Sequence, residues 1–275
     1  MTETPRHELI ARGLEMAYDG RRVVHGLDLT VPDGRITAVV GANACGKSTL
    51  MRGIARVMRP AGGVVTLDGA DIHRLPTRQV ARVLGLLPQQ PHAPDGISVG
   101  ELVRRGRHPH QGWLSRSDSD DDRVVAAALS ATDTLELVDR AVDELSGGQR
   151  QRVWIAMALA QDPDILLLDE PTSFLDVAHQ IDVLDLLMQL NRERGTTIAM
   201  VLHDLNLAAR YADHLVVMAA GEVVTVGAPA EVLTPATVRT AFGLEARVLP
   251  DPVCGAPMVV PFGRFHGTPP EGGAG

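Results

Sequence analysis

Ile36-Thr37-Ala38-Val39-Val40 runs straight into Gly41-Ala42-Asn43-Ala44-Cys45-Gly46-Lys47-Ser48-Thr49, and that junction decides the fold. The first part is a short apolar run, the mark of a strand buried on both faces. In the second part Gly41, Gly46, Lys47 and Ser48 keep the spacing of a phosphate-binding loop, and Lys47–Met58 reads as the helix that follows it. Glycines let backbone wrap closely round a phosphate, and a helix N-terminus adds unpaired N–H groups and a partial positive charge. The stretch Gly41, Asn43, Ala44, Cys45, Gly46 and Thr49 is then a cradle. Lys47 reaches the β- and γ-phosphates of a nucleotide, and Ser48 ligates Mg²⁺.

Lys47 is the only lysine in the 275 residues, every other basic side chain apart from histidine being arginine. A chain that avoids lysine elsewhere and keeps one here needs a compact ammonium that arginine's wide planar fork replaces poorly.

A second feature lies far along the chain. Ile165-Leu166-Leu167-Leu168-Asp169-Glu170 is another buried strand, and it delivers adjacent carboxylates to its C-terminal end, where ligands bind in open α/β sheets. Asp169 is placed to help hold Mg²⁺, and Glu170 to orient or deprotonate an attacking water. A third is Leu145-Ser146-Gly147-Gly148-Gln149, just before a helix running to Ala160. Ser146, Gly147, Gly148 and Gln149 offer a hydroxyl and exposed N–H groups at a helix N-terminus, a second anion site. The same turn also reads as an ordinary capped helix with Ser146 as the cap. If both anion sites touch one nucleotide, the second comes from another copy of the chain, head to tail across a symmetric dimer.

Working outward, Leu9–Met16 and Arg22–Val31 read as strands, Val64–Asp68 and Leu84–Leu87 likewise. Val99–Arg105, Asp122–Thr132 and Gly148–Ala160 look helical and form an inserted helical subdomain at about 90–160. Val177–Glu193 is an amphipathic helix, Thr197–Leu202 a buried strand, Leu205–Ala212 a helix, and Leu215–Met218 with Glu222–Val226 a strand pair. Asp118–Asp122 reads as a solvated helix start. Strands alternating with helices imply a mainly parallel sheet. The Gly- and Pro-rich end, His266–Gly275, reads as disordered.

Bulk properties narrow the classes. Hydrophobic residues make up 45% and charged residues 22%, ordinary for a globular chain. No apolar run approaches the ~18 residues of a membrane span, so action at a membrane requires a partner. Met1–Glu8 lacks the apolar core of a signal peptide, which points to the cytoplasm. Cys45 and Cys254 make neither a disulfide framework nor a zinc pattern. A net charge of −8 argues against nucleic acid as a partner.

The order of the three motifs resembles the nucleotide-binding domain of ABC transporters over about 9–240, nearly the whole chain. The resemblance implies an α/β, P-loop NTPase fold: a mostly parallel core with N-terminal antiparallel strands and the helical insertion. It implies ATP and Mg²⁺ as cofactors, ATP hydrolysis as the activity, and a nucleotide-sandwich homodimer on integral-membrane permease subunits. Those permeases would be fed by an extracytoplasmic substrate-binding protein, with this chain on the cytoplasmic face. Residue by residue, Tyr18 stands where the family stacks an aromatic on adenine. Gln89 matches the glutamine that touches Mg²⁺ and water at the hinge to the helical subdomain, and His203 the histidine that contacts the γ-phosphate. In Ser173-Phe174-Leu175-Asp176 the resemblance passes Asp176 across the dimer. Ala42 and Ala44 replace the Pro and Gly commonest in this family's loop; a positive φ at Ala44 would add ~1 kcal/mol of strain.

Within the family, Leu86-Leu87-Pro88-Gln89, Gly96-Ile97-Ser98-Val99 with Glu101-Leu102-Val103, Gly106-Arg107-His108-Pro109 and Pro252–Pro257 are most similar to importer subunits for ferric siderophores, haem and vitamin B12. This leads to the expectation of an ATPase that energises ferric siderophore uptake, with haem or vitamin B12 import, or a soluble ATPase of cluster assembly, as alternatives. His108 and His110 sit in a polar loop and read as surface residues rather than a metal site. The expected division is a nucleotide-binding domain at 1–245 and a C-terminal extension at 246–275.

Overall fold

The computed structural model describes residues 6–111, 119–173 and 175–263. Two antiparallel strands open the chain, β1 (Leu9–Tyr18) and β2 (Arg21–Val31). Then come β3 (Ile36–Gly41), α1 (Lys47–Ile54), β4 (Gly62–Leu67), β5 (Ala70–Asp71), α2 (Thr77–Val83) and β6 (Leu84–Leu87). A helical stretch follows, α3 (Val99–Arg104), α4 (Ser119–Ala131) and α5 (Gly147–Ala160). The chain returns to alternation with β7 (Ile165–Asp169), α6 (Val177–Arg194), β8 (Thr197–Val201), α7 (Leu205–Tyr211), β9 (His214–Ala219) and β10 (Glu222–Gly227). It closes with α8 (Pro229–Val232), α9 (Pro235–Phe242), β11 (Ala246–Pro250) and β12 (Pro257–Pro261).

The central sheet has six strands in the order β10-β9-β3-β8-β7-β6. All neighbours from β9 to β6 pair in parallel, and only β10 is antiparallel. Strands β3, β7 and β8 are buried along their whole length, as their unbroken apolar runs require. The parallel register sets Leu87 beside Leu168, Asp169 beside Val201 and Val39 beside Val201. The C-terminal ends of four strands therefore share one edge. The N-terminal strands form a separate antiparallel sheet, β2-β1-β4-β5. It packs against α1 through Leu14, Met16, Leu50, Met51 and Ile54. The other face is covered by a larger core in which α3, α4 and α5 meet through Val99, Leu102, Val103, Leu129, Val153 and Trp154.

Several elements differ from their sequence reading. Helix α1 stops at Ile54, short of Met58. Arg56 takes a φ of 62°, and Val57 and Met58 both return their N–H groups to the Arg52 carbonyl, at 2.9 and 3.0 Å, which ends the helix. Asp121 is not solvated. It is 6% exposed and ion-pairs at 2.8 Å with the equally buried Arg107, whose guanidinium also donates to the Ala160 carbonyl at 2.9 Å. Of the same run, Asp118 lies outside the described residues, while Asp120 and Asp122 are exposed. Phe174 and the stretch His266–Gly275 also lie outside them. The hairpin β11–β12 adds Ala246 and Val259 to the main core. No helix of the described residues is long and apolar enough to cross a membrane.

Candidate functional site

The edge where the parallel strands end carries the site. Gly41 closes β3, and its backbone approaches β9 so tightly that a Cβ would lie 2.2 Å from the Met218 carbonyl oxygen and 2.8 Å from the Cys45 sulfur. That approach, rather than any turn geometry, demands glycine there. Ala44 adopts a φ of 60° and Gly46 one of 106°, so the loop bends through the left-handed region twice. The strain anticipated at Ala44 is present. Cys45 turns its thiol into the core, and its N–H donates to the Ala42 carbonyl at 3.3 Å. Lys47 is 5% exposed and donates from Nζ to the carbonyls of Gly41 and Ala42 at 2.9 and 3.0 Å, spanning the loop. Its ammonium needs nearby acceptors because burial of a lone charge is costly.

Strand β7 delivers Asp169 and Glu170 to the same edge. Asp169 is 3% exposed, and its Oδ1 has no hydrogen-bond partner among the described residues. Burial pushes its carboxyl above the ordinary range, against the opposing pull of the Ser48 hydroxyl. An orphaned buried carboxylate oxygen beside a hydroxyl fits a hard cation that takes oxygen ligands. Among the described residues no cluster of three acidic, histidine or cysteine side chains could hold a metal, so such a cation would complete its shell with phosphate oxygens and water. Of the two histidines read as surface residues, His108 is exposed, while His110 is half-buried and bonds the Gln161 carbonyl at 2.8 Å.

Glu170 is the centre of convergence. Its Oε2 accepts from Gln89 Nε2 at 2.7 Å and from the Ser173 hydroxyl at 2.8 Å, while Oε1 lies 2.7 Å from His203 Nε2. Burial alone would raise its carboxyl, but bonds from His203, Ser173 and Gln89 win and hold it below the ordinary value. Its backbone sits at a φ of 57°, a conformation that costs a non-glycine residue ~1–3 kcal/mol and recurs at functional positions. Gln89 arrives just after β6 and His203 just after β8. Three chain segments far apart in sequence thus supply one hydrogen-bonded carboxylate.

A cleft of about 890 Å³ opens in front of this network. Tyr18, Asn43, Ala44, Gly46, Lys47, Ser48, Thr49, Gln89, Glu170 and His203 line it. The Tyr18 ring is 41% exposed, and its hydroxyl accepts from Arg52 on α1 at 3.2 Å. Sequence reasoning missed Arg21, His25 and Gly221, which line the same cleft, and Ser173 as a partner of Glu170. Gly221 carried a usable signal as the turn between two strands. It ties to Cys45 and His25 by backbone bonds of 3.0 Å each.

Ser146, Gly147, Gly148, Gln149 and Asp176 do not line this cleft. Ser146 caps α5 in a reciprocal box, accepting from Gln149 N at 3.3 Å and donating its own N–H to Gln149 Oε1 at 3.1 Å. Asp176 caps α6, accepting from the His179 N–H at 3.0 Å and lying 2.7 Å from its ring Nδ1. Gly148 faces that histidine ring: a Cβ there would stand 3.3 Å from it. The capped-helix reading therefore holds within one chain, and these residues form a second cluster of their own.

The sequence pattern of the ABC transporter family matches residues 24–173. The achromobactin transport ATP-binding protein CbrD of Dickeya dadantii is 52% identical over 256 residues, covering 93% of this chain and 95% of that protein. The ferric enterobactin transport ATP-binding protein FepC of Escherichia coli is 50% identical over 251 residues, 91% of this chain and 93% of its own. Among solved structures, an ABC transporter in an inward-facing conformation superposes with a TM-score of 0.80 at 28% identity, over 94% of this chain and 99% of that one. A dimeric bacterial ABC transporter cassette does so at 0.72 and 26%, over 80% and 98%. A cleft built on a phosphate loop and closed by a bonded carboxylate thus has close relatives along almost its whole length, and the chain belongs to the ABC transporter family as one of its ATP-binding, ATP-hydrolysing subunits.

Proposed function

We propose that this chain binds ATP with Mg²⁺ in the cleft, hydrolyses it through Glu170, and thereby drives uptake of a ferric siderophore through a membrane permease. The observation that carries the hydrolytic reading is the Glu170 carboxylate, kept ionised and aimed into the cleft by Gln89, Ser173 and His203. Lys47, with the N–H groups of the Gly41–Thr49 loop, binds the phosphates. Ser48, Asp169 and Gln89 would hold Mg²⁺, which supplies positive charge to the β- and γ-oxygens when bound. Glu170 orients a water in line with the γ-phosphorus and takes its proton as the new P–O bond forms and ADP leaves. His203 donates to the γ-phosphoryl oxygens as their charge redistributes. Tyr18, held by Arg52, offers its ring to the adenine.

In the proposed working form two copies sandwich two nucleotides, the Ser146–Gln149 turn and Asp176 of each reaching the cleft of the other. Support comes from the placement of that turn outside its own chain's cleft and from similarity to a dimeric cassette. The chain acts at the cytoplasmic face, through permease subunits served by an extracytoplasmic binding protein. Residues 1–245 form the nucleotide-binding unit, with the helices at about 90–160 passing motion to the permease. The cargo reading is favoured by relatives named for achromobactin, enterobactin and petrobactin, at 52, 50 and 47% identity, over relatives named for cobalamin import at 41%.

Uptake of radiolabelled ferric siderophore in cells carrying Glu170→Gln, at equal expression, tests both parts. Lost uptake with ATP binding retained supports them. Unchanged uptake, with hydrolysis by the purified variant abolished, would refute the cargo. Undiminished hydrolysis would refute the catalytic role of Glu170.

A further inference from the structure

Helix α9, at the end of the nucleotide-binding unit, and the hairpin β11–β12 of the extension make one C-terminal unit that lies outside the stretch 24–173 carrying the family pattern, yet it reaches the site from behind. Helix α7 starts two residues after His203. Asp204 caps it, its Oδ1 accepting from the N–H groups of Asn206 and Leu207 at 2.7 and 3.0 Å. Two residues past that cap, Asn206 is held on both sides by the backbone of one hairpin residue. Its Nδ2 donates to the Val259 carbonyl at 3.2 Å, and its Oδ1 accepts from the Val259 N–H at 2.7 Å. One turn further on, Arg210 donates to Asp251 at 2.6 Å, and Asp251 itself organises the hairpin turn by accepting from the N–H of Val253 at 2.8 Å. The hairpin is thus fastened along the helix that begins two residues after the histidine. A paired amide fixes a backbone direction better than a single bond, because both lone partners are satisfied only in one orientation.

The other end of the unit faces the histidine across a hollow. Phe242, the last residue of α9, lines a hollow of about 450 Å³ together with Gly41, Ala42, Asn43 and His203. It is half-buried against the main core. Gly243 then caps α9 at a φ of 66° and turns the chain into β11.

We propose that Asn206 and Phe242 are positioning residues for His203, and that the C-terminal unit holds the histidine at the reacting end of the cleft. The proposal rests on the assignment of His203 to the hydrolytic site. Misplacing a catalytic group by about 1 Å can cost on the order of 10²-fold in rate without altering ground-state binding. The unit is then part of the hydrolytic apparatus, and a partner that pulled on the hairpin would change turnover.

The test is a pair of double-mutant cycles on the full-length chain, measuring kcat, KM and ATP dissociation constant for Asn206→Ala, Phe242→Leu and His203→Ala, alone and combined. Phe242→Leu keeps an apolar side chain of similar bulk, so it guards against a variant that merely fails to fold, and thermal unfolding is recorded for each. The expected result is a fall in kcat of about 5–50-fold for Asn206→Ala, with ATP affinity within about twofold, and no further loss when His203→Ala is already present. Rescue by Asn206→Gln is not expected, since the longer amide cannot meet both Val259 groups. A folded Asn206→Ala protein with unchanged kcat would overturn the proposal. So would losses that multiply with that of His203→Ala, because the two residues would then act independently. If His203→Ala itself leaves kcat intact, the histidine assignment fails, and the cycle separates that failure from the failure of the brace.

Discussion

The loop at Gly41–Thr49 and the turn at Ser146–Gln149 both open a helix and both present N–H groups, yet they differ in how far their own chain satisfies them. Around the first, Lys47 and Asp169 are almost wholly buried and Asp169 Oδ1 lacks a partner among the described residues, so the chain maintains unmet electrostatic demand at its own expense. Around the second, Ser146 and Gln149 satisfy one another in an exposed capping box, and Asp176 is met by His179. One region is poised for a ligand by its own fold. The other is stable without one and acquires a binding role only when a second surface meets it. A buried, underpaired group is costly to keep; beside a phosphate loop at the end of a strand it points to a ligand, whereas an exposed, self-paired one does not.

The sharpest way to press this difference is Glu170→Gln. Hydrolysis should fall roughly 10²–10⁴-fold with ATP affinity nearly kept, measured as phosphate release beside nucleotide titration. Retained turnover would move the base elsewhere. Next comes Gly41→Ala, which forces a Cβ onto the Met218 carbonyl oxygen. It should cost about 1–3 kcal/mol in thermal or denaturant unfolding and loosen nucleotide binding. A folded variant of unchanged stability would show that β9 yields at this point. On the other side, Ser146→Ala should cost about 1 kcal/mol of stability as a lost cap. The isolated chain should still bind ATP as before, while hydrolysis under conditions where two copies associate declines. If ATP binding by the monomer drops instead, the turn serves its own cleft.

Smaller effects sharpen the first region alone. Ala44→Gly relieves left-handed strain of ~1–2 kcal/mol, offset by ~0.4–1 kcal/mol of extra unfolded-state entropy, so a net gain of about 0–1.6 kcal/mol is expected in unfolding experiments. The least change concerns pH. The carboxyl of Glu170 is held below its ordinary value of 4.5. The stability it contributes is therefore fully present above that value and lost only as pH falls through the lower, folded one. Between pH 7 and 5 neither unfolding nor kcat should carry a titration that Glu170→Gln removes; such a limb would mean that its hydrogen bonds do not prevail.

Much of this was legible in the chain before any tertiary contact. The ends of β6 and β7 were read to the residue, because uninterrupted apolar runs have sharp borders at Pro88 and Glu170. The end of α1 was not, since Arg56 enters the left-handed region without a glycine to announce it. The closing helices were overlooked although Pro229, Thr234 and Pro235 are ordinary helix-start signals. Asp121 was misjudged because an acidic run looks solvated until Arg107, 14 positions earlier, is brought against it.

What the amino-acid sequence determined by itself is local: which segments become buried strands, where a glycine loop meets a helix, and which side chains stand at strand ends. Those follow from apolar patterning and backbone freedom within a few residues. Only the tertiary structure decided that Gln89, Ser173 and His203 share the Glu170 carboxylate, that Ser146 lies outside its own chain's cleft, and that Val259 grips the helix behind the histidine. The physical reason is the parallel sheet: it sets the ends of β6, β7, β8 and β3 on one edge through hydrogen-bond register between strands far apart in the chain, and no local preference encodes that neighbourhood.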